Sequence, residues 1–593
     1  MERAMALGVG LPVAAFVANS LTFQGASAQD SSGAVTRPTS GTENQQRGAG
    51  GELKLIQWQA VSTLSPHNAT GTKDALGATP VFEPLLNYLP DGSLTPNLVK
   101  VVPTLENGGL SADLTTVTYN LLEGVVWSDG TPFTAHDVVA TYDWLIDPVN
   151  AAITLNNYLP LASVETIDDL TVKLTFKTGT LAWYIPFSGT NSGFVYPKHV
   201  LEQGDAGKEI LRSNPIGTGP FTVTSFTEND QVIYTANDLY REPNKPYYAT
   251  INLKGGGDAA SAASAVLETG DWDVAWNPQV EPQIIRQLES ANNGKAVFPP
   301  GPFIEAVFFN FADPNQEVDG QRSEKNTPHP FLADPAVRKA ISLATDRDTL
   351  SAQFYSGAPG EPAAVNVLTG IPALESPNTA FEFNLDKAKQ TLDDAGWLLE
   401  GNTRSKDGVE LKLTLATTVS SVRQKEQAVL KNDWEEIGIE VNLLEIDQTI
   451  YFDPSAGNDQ SSTHFYNDTE MHTIGPASPF PRDFMSRWYA GADGSNIAQA
   501  SNEWSGFNYQ RFANAEYDQL WETLADETDL EQAVQTFIQL NDILVENSVV
   551  LPLVQRSAGN SYAVNNRINN DNILAHSWEV LYWNIANWNA AAE

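Results

Sequence analysis

Apolar and polar residues alternate with two different periods along this chain, and the switches between them lay out its elements. Leu53 to Trp58 reads as a first strand. Val117, Tyr119 and Leu121 fall on one side of a period-two stretch, as do Leu170, Val172, Leu174 and Phe176 with Thr171, Lys173 and Thr175 between them, which is the mark of half-buried strands. Between these two, Thr134 is placed to cap a helix with Asp137 at its third position. Val138, Tyr142 and Leu145 share one face of it, and Pro148 stops it. Asp334-Pro335 supplies an N-cap and a first-position proline for a helix that buries Val337, Ile341 and Ala344. Farther on, Leu411, Leu413 and Leu415 mark a strand, Ser421 to Ile437 a helix closed by Gly438, and Ile439, Val441 and Leu443 a second strand, one β-α-β unit. The fold class is α/β.

A chain of 593 residues, 41% hydrophobic and 18% charged, has room for several domains and composes a globular protein. Its net charge of −39 repels nucleic acid and anionic membrane surfaces, so neither is an expected partner. Cysteine is absent, which removes thiolate catalysis, disulfides, Cys-ligated metal and a Cys-borne lipid anchor. At the start, Arg3 precedes an apolar stretch from Leu7 to Ala18, too short to span a membrane. Ala26-Ser27-Ala28 closes it like a secretory cleavage site, so residues 1–28 read as a signal peptide and the protein as exported. Residues 29–51, rich in Ser, Thr, Gly and Gln, read as a flexible linker.

The search for chemistry excludes more than it finds. No two of the seven histidines have HExxH spacing, and there is no GxSxG elbow, no GxxxxGK[ST] loop and no strand followed by GxGxxG. Gly255-Gly256-Gly257-Asp258 reads as a turn into a helix, and Asp168-Asp169 and Asp393-Asp394 as caps rather than a glycosidase pair. Asp313, Asn315, Glu317 and Asp319 alternate like a calcium loop, but Gly320 stands outside the EF-hand position. No catalytic residue, metal site or cofactor is expected. Aromatic residues cluster at Trp183-Tyr184, Trp272 with Trp276, Trp488-Tyr489, and Tyr582-Trp583 with Trp588, as the walls of a ligand cleft would.

Tyr119 to Val138, containing Trp127-Ser128-Asp129-Gly130-Thr131-Pro132-Phe133-Thr134-Ala135-His136-Asp137, resembles the most recognisable motif of the extracellular solute-binding proteins of family five. These are the oligopeptide-, dipeptide- and nickel-binding receptors of ABC importers. Val81 to Leu85, Asn214 to Phe221, Asn237 to Tyr240, Gly270 to Val274, Asp334 to Ala340 and Ala388 to Trp397 are similar to further family segments in the same order. The resemblance implies a two-lobed, periplasmic-binding-protein-like clamp of type II with an additional inserted domain. Carried onto this chain, lobe I takes 52–86, 214–305 and 548–593, the inserted domain 87–213, and lobe II 306–547. The clamp would close on its ligand.

For the pocket, Pro66 to Thr72 resembles the lobe I loop whose backbone pairs with an extended peptide, Thr70, Gly71 and Thr72 matching its contact positions. Thr473 to Phe484 corresponds to the segment where peptide binders carry an Asp for the ligand's α-amino group. Here Ala477 stands at that place, so a ligand without a free amino terminus is favoured, with Asp468 or Asp483 as replacement anchors. The candidate ligand-binding residues are Thr70, Gly71, Thr72, Tyr158, Gly475, Ala477, Trp504 and Asn508. The resemblance implies a monomeric receptor that captures a peptide or other small polar solute and works with an ABC permease and ATPase. The alternatives are a secreted hydrolase-type enzyme reusing the clamp, or a solute sensor outside transport.

Overall fold

A computed structural model describes residue 42 and residues 44–592 except 70, 357–360, 454 and 456; the signal-peptide assignment to residues 1–28 lies outside them. Among the described residues no helix is long and apolar enough to cross a membrane.

Lobe I is built on a seven-stranded sheet. Its order is Gly294–Val297, Tyr562–Asn565, Val274–Trp276, Glu52–Gln57, Thr250–Gly255, Gln231–Ala236 and Phe221–Thr227. The first strand of the chain lies at its centre, parallel to both neighbours, Leu55 opposite Val274 and Leu253. Lobe II is a five-stranded sheet ordered Glu440–Ile446, Lys412–Thr418, Thr469–Ile474, Phe303–Phe309 and Val550–Arg556. The β-α-β unit read from the Leu411 to Leu443 pattern is present: Lys412–Thr418 and Glu440–Ile446 pair in parallel around the helix Ser421–Glu436, and Gly438, at φ 89°, ends the helix as only glycine does without strain. A third sheet, Thr116–Asn120, Thr171–Phe176 and Leu161–Asp168, forms the inserted domain with the helix Ala135–Ile146. That helix starts in a capping box of Thr134 and Asp137.

Four boundaries differ from the expectation. Phe303–Phe309 pairs with Val550–Arg556 and Thr469–Ile474, so lobe II begins by residue 303 and ends at 556 rather than spanning 306–547. The chain crosses between lobes at 298–302 and 557–561. Phe194, Tyr196, Val200 and Leu211 pack into the lobe I core, so the inserted domain stops short of residue 213; its own core runs on without a break into Phe480, Phe537 and Leu540 of lobe II. Finally, residues 44–51 are docked rather than free. Arg47 donates to the carbonyls of Asp238, Tyr240, Glu242 and Lys245 at 2.6–2.8 Å, and Gly48 and Gly50 to those of Pro246 and Tyr247. Composition suggested a linker because no apolar residue is buried there; backbone acceptors hold it instead.

Candidate functional site

Lobe I has parallel strands at its centre and lobe II a parallel trio, Glu440–Ile446, Lys412–Thr418 and Thr469–Ile474, beside two antiparallel strands; the carboxyl ends of Val274–Trp276 and Lys412–Thr418 lead into one cleft, the place where open α/β sheets bind ligands. Past the end of Val274–Trp276 lie Asn277, Pro278 and Val280; past Lys412–Thr418 lie Ser420, Val422 and Arg423. Together with Phe298, Tyr355 and Arg556 they line a cavity of about 210 Å³. Two contacts bridge the lobes beside it: Lys425 pairs with Glu281, and Gln59 Nε2 donates to Gln448 Oε1 at 3.2 Å.

The lobe II wall of this cavity hides an ionic network. Glu305 is fully buried on the strand Phe303–Phe309 and accepts from Arg423 Nε at 2.7 Å, from Arg423 Nη2 at 3.2 Å and from Arg556 Nη1 at 3.0 Å, with the Thr473 hydroxyl as a further donor. Arg556 Nε also donates to Glu361 Oε1 at 3.1 Å, and its guanidinium lies over the Tyr355 ring at 4.6 Å. Burial alone would raise the Glu305 carboxyl, but Arg423 and then Arg556 overcome it and hold the group down at about 2. Next to it, Glu426 has no cation in contact. Burial, and after it the charge of Glu305, pushes it up to about 8, and it accepts from Tyr355 Oη at 2.8 Å. Two guanidiniums matched by two carboxylates leave the wall polar but nearly neutral.

A larger cavity of about 670 Å³ lies where the inserted domain, lobe II and the C-terminal part of lobe I meet, lined by Trp183, Tyr184, Phe480, Phe537 and Trp578 among others. Of the aromatic clusters conspicuous in the sequence, only Trp183-Tyr184 stands here. Trp488, Tyr582 and Trp588 are core.

The predicted ligand residues are scattered. Thr70 lies outside the described residues. Gly71 caps the helix Thr72–Ala78, its carbonyl accepting from Asp74 N–H at 3.0 Å. Thr72 is exposed, 3.4 Å from where Gly559 would carry a Cβ, next to an interlobe crossing. Gly475 faces the Phe303 ring, which a Cβ would meet at 2.4 Å. Ala477 is exposed, two residues before Pro479 of the larger cavity.

The other three are placed for packing. Tyr158 is fully buried against His67 and Phe187, and its hydroxyl donates to Ser192 O at 2.8 Å, so the ring is core of the inserted domain. Asn508 is fully buried too. Its amide donates to the carbonyls of Phe512 and Tyr489 and accepts from Phe512 N–H, which commits both its donors and one of its two acceptor sites within the protein. Trp504 stacks on His464 at 3.9 Å, and neither described cavity includes it. Asp468 is likewise committed, accepting from Thr414 N–H at 2.8 Å and His329 Nε2 at 3.0 Å, so it is no free anchor. Asp313 takes the N–H groups of Asn315 and Gln316 in a turn, and Asp258 caps the helix Ala259–Leu267. The residues that sequence reasoning missed, Arg423, Arg556, Glu305 and Trp578, come from a helix, two strands and the C-terminal segment, and only the tertiary fold brings them to the two cavities.

Residues 100–496 match the model of the bacterial extracellular solute-binding proteins, family 5 Middle. The match covers more than half of the chain, which therefore belongs to this family of solute-binding proteins. Among curated relatives, the oligopeptide-binding protein AppA of Bacillus subtilis is 27% identical over 456 residues, 74% of either chain. The solved structure of AppA from Bacillus subtilis in complex with a nonapeptide superposes with a TM-score of 0.72 at 23% identity, covering 93% of this chain and 100% of that one. NikZ from Campylobacter jejuni, solved with Ni(L-His), gives 0.73 at 20%, covering 91% and 99%. The fold is thus the two-lobed clamp with an additional domain.

Proposed function

We propose that this protein is an exported, monomeric receptor that captures a peptide or another small solute between its lobes and delivers it to an ABC import permease and its ATPase, without chemical turnover. The observation that carries this reading is the cleft itself: parallel strands of the two sheets lead into it by their carboxyl ends, and the lobes are joined by two crossings and bridged by Lys425–Glu281, the arrangement of a clamp that closes on its cargo. Relatives named for oligopeptide binding, and a neighbour solved with Ni(L-His), support small solutes as the class. The exported location rests on the apolar stretch ending at Ala28, and the absence of turnover on the lack of a nucleophile, base and orienter at recognisable spacing.

Mass spectrometry of species that co-purify with the protein tests the reading, followed by titration of the identified compound. Binding is expected to change tryptophan emission, to compact the molecule in solution scattering, and to return the compound intact after long incubation. Tight binding without compaction would overturn the clamp, and catalytic loss that survives repurification would make the protein an enzyme.

A further inference from the structure

The two cavities differ in chemistry. The smaller one carries guanidiniums compensated by carboxylates; the larger one has no Lys or Arg among its lining residues. Its acids, Asp91 and Glu106, are exposed, and Asp91 is occupied by the N–H and hydroxyl of Ser93 at 3.0 and 2.6 Å. The remaining wall is dominated by rings, aliphatic side chains and prolines. Trp183 and Trp578 are 2% and 5% exposed, so the rings are held rigidly by packing. An anionic group placed here would lose its water and meet no cation, and a free ammonium would meet only carboxylates already solvated outside. A volume of about 670 Å³ suits a molecule of drug-like size with most of its surface enclosed.

One polar group in this wall lacks a partner. His576 is 5% exposed, and its Nδ1 accepts from Trp578 N–H at 3.4 Å, which assigns the proton to Nε2. That N–H has no acceptor among the described residues, and its nitrogen is closed off from the cavity surface. Burial holds the ring neutral, with its titration down at about 3.

We propose that the solute places an uncharged, apolar, ring-bearing or branched body in the compartment of Trp183, Tyr184, Phe480, Phe537 and Trp578. The inference rests on the receptor reading and narrows it: end-blocked apolar peptides and comparable neutral compounds are cargo, and free dipeptides are not.

Calorimetry with three probes tests it: N-acetyl-Phe-Leu-amide, the zwitterion Phe-Leu, and N-acetyl-Ser-Ser-amide. The blocked apolar probe is expected to bind at least about tenfold more tightly than either other probe, and Trp578→Ala to weaken it by about tenfold or more. Because Trp578 is part of the core, a second variant uses Leu105 at the rim, 52% exposed. Leu105→Lys supplies the missing cation and should improve binding of the free acid N-acetyl-Phe-Leu relative to its amide about threefold at low salt.

Equal or tighter binding of the zwitterion or the serine probe, indifference to both variants, or no binding of any probe at millimolar concentration overturns the ligand class. Scattering separates this from the receptor reading. A charged solute that compacts the molecule sinks the class and keeps the clamp, whereas tight Trp578-dependent binding of the blocked probe without compaction does the reverse.

Discussion

Glu305 stays ionised in a fully enclosed position because two arginines face it, and removing one of them strands the charge. Arg423→Met should destabilise the protein by about 3 kcal/mol in urea unfolding, and adding Glu305→Gln should recover part of that loss, since breaking a buried pair is worse than deleting it. Glu426 behaves oppositely. Its carboxyl titrates at about 8 when folded, above the value of about 4.5 expected in the unfolded chain. Between these values the folded state holds the extra proton, so the stability Glu426 contributes is complete below about pH 4.5 and is lost as pH rises through about 8. Buried Glu470, also raised to about 8, adds to the same slope. Below about pH 6.5 the buried neutral histidines His67, His472 and His576 oppose this slope, so unfolding free energy is expected to fall from pH 6.5 to pH 8, and Glu426→Gln to flatten that fall by roughly 1 to 2 kcal/mol. At Ala477 the change is one of specificity: Ala477→Asp should tighten free-amine peptides by about 1.5 to 3 kcal/mol in calorimetry if its carboxylate reaches the ammonium. The sequence made Ala477 conspicuous by what it lacks. It gave no warning that Tyr158 and Asn508 are consumed by Ser192, Tyr489 and Phe512, because side-chain partners set by tertiary packing leave no periodic trace.

At the level of elements, the legible parts were those encoded locally. The capping box of Thr134 and Asp137, the Asp334-Pro335 start and the Gly438 stop each rest on residues within a turn of one another, and each element formed within a residue or two of its predicted span. What failed was membership. Phe303–Phe309 reads as an apolar strand from either side of a domain border, and only its pairing with Thr469–Ile474, well over a hundred positions away, assigns it and its other neighbour Val550–Arg556 to lobe II. The docked segment 44–51 was illegible for a different reason: its partners are carbonyl oxygens, which every residue possesses. Arg47→Ala should release it, so limited proteolysis should then cut within 44–51 while the wild type resists there.

Between lobes I and II the polar bridges beside the smaller cavity are Lys425–Glu281 and Gln59–Gln448, while the inserted domain shares its core with lobe II. Lys425 is half exposed while Glu281 is nearly buried, which limits their pairing to about 1 kcal/mol after screening, or roughly a fivefold change in the ratio of closed to open molecules. Lys425→Met should therefore raise the radius of gyration of unliganded protein in solution scattering, and added solute should restore compaction. The docked N-terminal segment has a mechanical consequence as well. Thr42 donates to Asn587 at 3.3 Å and accepts from Asn244, and Arg47 grips the 238–245 loop, so the described chain enters and leaves on the same lobe. A pull applied through the residues before Thr42 is borne by lobe I alone and puts no torque on the crossings at 298–302 and 557–561. The connection between the lobes is thus spared any load that arrives from that end.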